Sequence, residues 1–209
     1  MNIALNMKYF IPFCLAALLL GACKETTPGN TATQPKDTMD EVAIIETKFG
    51  KMVVEFFADD APKTTANFKK LAREKFYNGT TFHRVIPGFM IQGGDPLTKA
   101  DPHSPRAGSG GPGYTVPAEI KQLHLRGAIA TARTGDQVNP QRASSGCQFF
   151  INVKDNDFLD RGGYTVFGRV IKGMEVADQI VSVPRDDRDN PNDPVKMEVK
   201  LVPRADAGL

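Results

Sequence analysis

The 209-residue sequence has three cysteines, no large excess of either charge and no apolar run long enough to cross a bilayer. Each shortage removes a class of function. The formal net charge is +2, and Lys8 is the one charged residue among the first 22, which leaves +1 for the rest. Nucleic-acid binding needs a strongly basic face, and that balance does not supply one. The runs Lys69-Lys70 and Asp186-Asp187-Arg188-Asp189 read as solvated surface. His83, His103 and His124 lack the spacing of metal ligands. Gly108–Gly113 lacks the Gly-Lys-Ser/Thr ending of a phosphate loop. Cys147 with His83 or His124 carries no local signature of a thiol hydrolase. No metal and no cofactor is expected, and no internal repeat is visible. Hydrophobic residues make up 41% and charged residues 24% of the chain, ordinary for a globular protein long enough to bury one good core.

The N-terminus reads as a targeting segment. Lys8 precedes the uncharged stretch Tyr9–Ala22, whose 14 residues fall short of the about 20 that span a bilayer. They match the apolar region of a signal peptide. The stretch ends Leu20-Gly21-Ala22-Cys23, which resembles a bacterial lipobox. That resemblance implies a lipoprotein signal peptide over 1–22, cleavage before Cys23 and acylation of Cys23. Several acyl chains anchor firmly, because each buried CH₂ contributes about 0.8 kcal/mol. Lys24 rather than aspartate follows, which points to the outer membrane, facing the periplasm of a bacterial cell envelope. Met1 and Met7 could each initiate. Cys14 would leave with the signal and Cys23 would carry lipid, so Cys147 alone stays in the mature domain. No disulfide is possible there, and the lone thiol is expected to be buried. Residues 23–41 read as a flexible tether. Its Lys24–Glu41 portion, rich in Thr, Pro, Asp and Lys, cannot bury enough surface to fold. It would reach roughly 20–25 Å.

Residues 42–209 read as one domain. Val42–Lys48 and Lys51–Ala58 are rich in Val, Ile and Phe and flank a turn at Phe49-Gly50. Asp60 is placed to cap a helix with Pro62 in its first turn. Short strands are expected within Thr80–Ile91, Leu123–Ala132, Gln148–Val153, Thr165–Val170 and Val195–Val202, and a second helix over Gly173–Val181. Gly93–Pro117 and Arg133–Gly146 read as loops. Many strands with two helices predict a mostly β protein. The expected form is a closed antiparallel eight-stranded β-barrel capped by two α-helices.

The most informative stretch is Phe82–Asp95, FHRVIPGFMIQGGD. It sets Arg84 and Gln92 among apolar residues, interrupted by turns at Pro87-Gly88 and Gly93-Gly94. A guanidinium beside an apolar hollow suits a mostly apolar substrate that needs one permanent donor, and a proline amide is such a substrate. Three more segments follow in order: GAIATAR (Gly127–Arg133), SGCQFFIN (Ser145–Asn152) and FLDRGGYTVFG (Phe158–Gly168). Together the four resemble the cyclophilin family of peptidyl-prolyl cis/trans isomerases, over about Val42–Val202. The resemblance implies that Arg84 hydrogen-bonds the substrate at the isomerising bond. It implies that Phe89 and Met90 line the proline pocket and that Gln92 contacts substrate. It places Ala132 and Arg133 on the substrate-binding strand, and Gln148 and Phe150 in the Gln-Phe-Phe motif. Phe158-Leu159 stand where many members have Trp-Leu, and Tyr164 where those have His. Phe158 keeps an aromatic wall without an indole N–H, which should weaken binding of cyclosporin more than isomerisation.

These residue types suit that reaction. Resonance gives the peptide C–N bond a rotation barrier of about 18–20 kcal/mol. A catalyst need only bind the twisted amide better than the planar ones. In the twisted state the prolyl nitrogen becomes pyramidal and its lone pair localises. Arginine, always charged and rigidly forked, is a suitable donor to it. Phe89, Met90, Phe150 and Leu159 would clamp the ring while Gln92, Arg133 and Gln148 hold the flanking backbone. The expected function is isomerisation of X–Pro bonds in exported proteins, by a monomer. The alternative is a non-catalytic module that binds proline-containing segments as chaperone or scaffold. The four motifs make one structural demand: Arg84, Phe150 and Phe158 must surround one hollow, with Phe89, Met90 and Phe150 exposed in it.

Overall fold

A computed structural model describes residues 40–209. The signal segment, Cys23 and all but the last two residues of the expected tether lie outside the described residues. Ten strands form: β1 (Glu41–Thr47), β2 (Gly50–Phe56), β3 (Phe82–Ile86), β4 (Met90–Gly93), β5 (Thr115–Val116), β6 (Ala128–Thr131), β7 (Ser144–Ser145), β8 (Phe149–Asn152), β9 (Val166–Lys172) and β10 (Glu198–Pro203). Eight of them pair in the order β10-β1-β2-β9-β6-β8-β4-β3, every neighbouring pair antiparallel. β5 and β7 pair separately, so both predicted loops contain a short strand.

The fold is mostly β, as expected, but the sheet is a curled open row and not the closed ring. β10 and β3 stand at its two ends. Only the segments leading into them meet, through an isolated Thr81–Lys196 bridge and the bonds Phe82 N–H to Val195 O (3.0 Å) and Met197 N–H to Thr80 O (2.9 Å). No strand ladder pairs β3 with β10.

The helices number three among the described residues, not two: α1 (Pro62–Arg73), α2 (Phe158–Gly162) and α3 (Met174–Val181). α2 has 5 residues, less than two turns, so no periodicity could announce it. It ends at Gly163, whose φ of 67° is left-handed and favours glycine. α1 begins one residue later than expected, with Ala61 and not Asp60 at its N-cap. Its first amides are satisfied from far away. The Glu119 carboxylate accepts from Lys63 N–H (3.0 Å), Thr64 N–H (2.9 Å) and the Thr64 hydroxyl (2.8 Å).

Strand alternation divides the apolar residues into two clusters. Phe149 and Ile151 of β8, Ile91 of β4 and Ile129 of β6 point inward to the main core. There Phe68 stacks on Tyr77 at 4.8 Å and packs edge-on against Phe149 at 5.6 Å, with Met197 and Ile180 completing the interior. The intervening residues point outward. Met90, Ala128, Ala130, Phe150 and Val166 form a second, smaller cluster with Leu159 of α2. It lies on the outer face of the curl and floors the site described next.

Candidate active site

Arg84, Gln92, Phe150, Ala130 and Val166 are consecutive register partners across β3, β4, β8, β6 and β9. At about 4.8 Å per strand, Arg84 and Ala130 stand about 14 Å apart across the row. An extended peptide of four residues has that length. β3 carries a register irregularity between Phe82 and Arg84. Bulges of this kind redirect side chains, and here His83 and Arg84, neighbours in sequence, line the same cavity.

That cavity measures about 400 Å³. Arg84, Phe89, Met90, Gln92, Ala132, Arg133, Phe150, Leu159 and Tyr164 line it. The fold thus gathers nine of the eleven expected site residues of the domain around one hollow. Met90 (1% exposed) and Phe150 (5% exposed) are its floor and are buried, not exposed as expected. Phe89 is half-buried at the lip, its carbonyl held by Val153 N–H and by the Asn156 amide, each at 3.0 Å. Phe158 does not line the cavity. It is 57% exposed and leans on Phe89, ring centroids 5.5 Å apart, so it extends the rim.

Arg84 is exposed, and among the described residues its guanidinium has no hydrogen-bond or ion-pair partner. Its donors therefore face the cavity unused. Arg133 is the reverse. Its side chain donates to Thr134 O (2.8 Å) and Gly162 O, pairs with Asp136 (2.6 Å) and lies over the Tyr164 ring at 4.7 Å. The guanidinium is thus engaged by the protein itself. The Arg133 main-chain N–H and C=O take no partner among the described residues.

Gln148 is likewise engaged. Its amide donates to Gly108 O (2.9 Å) and Gly110 O (2.8 Å) and accepts from Gln92 (3.1 Å). It lines not the 400 Å³ cavity but an adjoining groove of about 790 Å³, which shares Gln92, Gly108, Ala132 and Arg133 with it. Gln148 therefore fastens the 93–117 loop to the sheet and orients Gln92.

Sequence reasoning missed several residues. His124 is 1% exposed, stacks parallel to Phe150 at 6.0 Å, and meets Asp160 of α2 at 2.9 Å. Burial holds its pKa below the ordinary value, against the pull of Asp160, so it supports the floor as a neutral ring. Asp95 is fully buried and ties the loop by accepting from Leu97, Gly108 and Gly110 N–H groups. His83, Pro105, Ala107, Gly108, Arg188 and Asn190 wall the cavity beyond Arg84. His83 comes from β3 beside Arg84 and lay within the Phe82–Asp95 stretch, whereas no single-sequence signal marked the other wall residues, because they come from loops of unrelated sequence. Burial also pushes the Cys147 thiol up to about 12, so it is no nucleophile at neutral pH. Among the described residues, no group of three or more His, Cys, Asp or Glu side chains could hold a metal ion.

Comparison with known proteins agrees with this geometry. Residues 42–200 match the family model described as cyclophilin type peptidyl-prolyl cis-trans isomerase. A peptidyl-prolyl cis-trans isomerase of Synechococcus elongatus is 43% identical over 150 residues, 68% of this chain and 93% of its own. One from Acinetobacter baylyi is 41% identical over 162 residues, 76% of this chain and 81% of its own. A cyclophilin-type isomerase of Cryptosporidium parvum superposes with a TM-score of 0.68 at 30% identity, covering 78% of this chain and 97% of that one. A second structure of that Cryptosporidium parvum protein was obtained in the presence of the dipeptide Ala-Pro, with a TM-score of 0.67. The chain belongs to the cyclophilin-type peptidyl-prolyl cis-trans isomerases, and its activity is that isomerisation.

Proposed function

We propose that Arg84 is the catalytic residue and that the 400 Å³ cavity takes the proline ring of an exported polypeptide. The observation that carries this is the Arg84 guanidinium, unpartnered among the described residues, beside an apolar lining of Met90, Phe150, Leu159 and Tyr164.

 

Leu159 and Tyr164 close the apolar side of that cavity. An apolar surround lowers the local dielectric and strengthens whatever Arg84 donates to. With the ring clamped, the group on the acyl side is left to rotate. As conjugation breaks, the prolyl nitrogen gains a localised lone pair, and Arg84 binds that state better than either planar one. Removing about 7 kcal/mol from the barrier corresponds to roughly 10⁵-fold acceleration. The free main-chain groups of Arg133, together with Gln92, hold the flanking substrate backbone. Phe158 and Phe89 form an aromatic rim that covers the bound segment. The Ala-Pro dipeptide used with the Cryptosporidium parvum relative supports proline-containing segments as the ligand.

The same reading includes a lipid anchor at Cys23, a tether over residues 23–41, and a monomeric domain in the bacterial envelope, at the outer membrane and facing the periplasm. The Leu20-Gly21-Ala22-Cys23 sequence and the composition of Lys24–Glu41 support it. The mass of the N-terminal peptide from natively expressed protein tests the anchor. An unmodified Cys23, or cleavage elsewhere, would remove it.

A protease-coupled assay on a proline tetrapeptide, with the whole chain, tests the mechanism. Arg84→Ala is expected to lower kcat/KM by about 10²–10³-fold, the usual loss for one transition-state donor. Full activity in that variant would refute the role given to Arg84.

A further inference from the structure

The cavity has two unlike halves. Phe89, Met90, Phe150, Leu159 and Tyr164 make one half apolar. The other half, beyond Arg84, is made by His83, Arg188 and Asn190 against a wall of Pro105, Ala107 and Gly108. A proline ring has no use for the second half, which therefore receives a neighbouring residue of the substrate. The backbone fixes where it lies. β3 is an end strand, and Val85 N–H donates to Asp189 O at 2.8 Å, so the 186–190 turn runs along its free edge. Arg188 thus extends the row that runs from Ala130 through Phe150 and Gln92 to Arg84.

The chemistry of this half is one-sided. Two arginines line the cavity here and no aspartate or glutamate does. Arg84 has no partner among the described residues. Arg188 is braced, its guanidinium donating to His103 O at 3.2 Å and standing 3.7 Å from Asp186, and its side chain is still 52% exposed. Asp186 offsets part of that charge, and its carboxylate is already occupied by the Arg188 and Asn190 N–H groups, at 2.8 and 2.9 Å. Asn190 donates away from the cavity, to Pro102 O at 2.9 Å. His83 is the second, independent sign of a ligand. It is 4% exposed, it lines the cavity, and neither ring nitrogen has a partner of full hydrogen-bond geometry, although the Thr81 backbone stands close enough to favour its protonated form. Buried polar groups without partners are rare and call for an explanation.

We propose that the His83–Arg188 end of the cavity is a subsite for an acidic side chain, Asp or Glu, one or two positions from the isomerising proline, with Arg188 as the specificity-determining residue. The proposal rests on the reading of the cavity as the substrate groove. The carboxylate would sit between the Arg84 and Arg188 guanidiniums, beside the His83 ring.

The test uses the whole chain and proline peptides carrying Glu, Gln or Lys at each of the two positions before and after proline. At one of these positions the Glu peptide should exceed the Gln peptide in kcat/KM by about two- to fivefold at low salt, as a solvent-facing guanidinium–carboxylate pair provides. The ratio should approach one near about 1 M salt. Arg188→Gln should bring the ratio to about one, Arg188→Glu should favour the Lys peptide, and Arg188→Lys should retain most of the preference. Equal rates for Glu and Gln peptides at all four positions, or a wild-type ratio in both Arg188→Gln and Arg188→Glu, would overturn the proposal. Failure of the groove itself is distinguishable, because Arg84→Ala would then keep full activity on every peptide.

Discussion

Asp95 does not itself line the cavity, yet Asp95→Asn should damage it. The Asp95 carboxylate is fully buried. One oxygen accepts Leu97 N–H at 2.8 Å, and the other accepts Gly108 N–H at 2.6 Å and Gly110 N–H at 2.9 Å. Hydrogen bonds to a charged group contribute about 1.5–3 kcal/mol each. Asparagine keeps only one of the two oxygens. Its NH₂ must then face either Leu97 or the two glycines, donor against donor. The loss is one or two bonds, weakening of the rest and a buried unsatisfied donor, about 3–5 kcal/mol in all. For a chain of this size that is a fall in Tm of roughly 10 °C. The effect should reach the site, because Gly108 and Gly110 carbonyls hold Gln148, which holds Gln92. Gly110→Ala should act on the same junction, since its Cβ would lie 2.0 Å from Asp95 Oδ1. Thermal melts of both variants, with isomerase assays well below Tm, make the check. A Tm for Asp95→Asn within about 2 °C of wild type would refute the reasoning.

Three further outcomes are expected. Arg133→Ala should cost about 1–3 kcal/mol of stability, measured by urea titration, because it removes the brace between Gly162, Asp136 and Tyr164. Arg133→Lys should not restore it, as an ammonium cannot make the forked contacts. Phe158→Trp should tighten cyclosporin binding about fivefold, the value of one added hydrogen bond, with a smaller change in kcat/KM for a proline peptide. Stability should also fall on mild acidification. Burial holds His83 and His124 below the ordinary histidine pKa, against the opposing charges of Asp95 and Asp160. The unfolded chain takes up protons near about pH 6.5 while the folded chain resists. Their contribution is therefore complete above about pH 6.5 and is lost as pH falls toward the depressed folded values. Urea midpoints from about pH 8 to about pH 5 should show a shallower fall in the His83→Gln/His124→Gln double variant, and an unchanged slope would refute this.

Local pattern made much of the fold legible. Alternation in Val195–Val202 anticipated most of β10, and the Pro87-Gly88 pair sits between paired strands, while the turn between β1 and β2 is Lys48-Phe49, one residue ahead of the expected Phe49-Gly50. The residues that escaped reading are those whose partners are distant in sequence. Glu119 caps α1 from 55 residues beyond Thr64, and nothing near Asp60 reveals that. Phe158-Leu159 lie on a helix of 5 residues, too short to show a period. The open row of strands was also invisible, since closure depends on whether β3 and β10 pair in space, while each strand reads the same either way.

For the site, the residue types and their order along the chain determined the chemistry: one permanent cation, an apolar clamp and no nucleophile or metal set. Side-chain period and register did the rest. Period two sends Phe149 into the core and Phe150 to the outer face, and the pairing of β3, β4, β8 and β6 aligns Arg84, Gln92, Phe150 and Ala130. Only the tertiary structure decided which polar groups are free. Arg84, Arg133 and Gln148 look equally available as letters in a motif. In the fold Arg133 and Gln148 meet carbonyls of Gly162, Gly108 and Gly110, while nothing among the described residues reaches Arg84. A donor's availability is set by the acceptors that packing brings within hydrogen-bond distance, and those come from loops whose positions the local sequence does not encode.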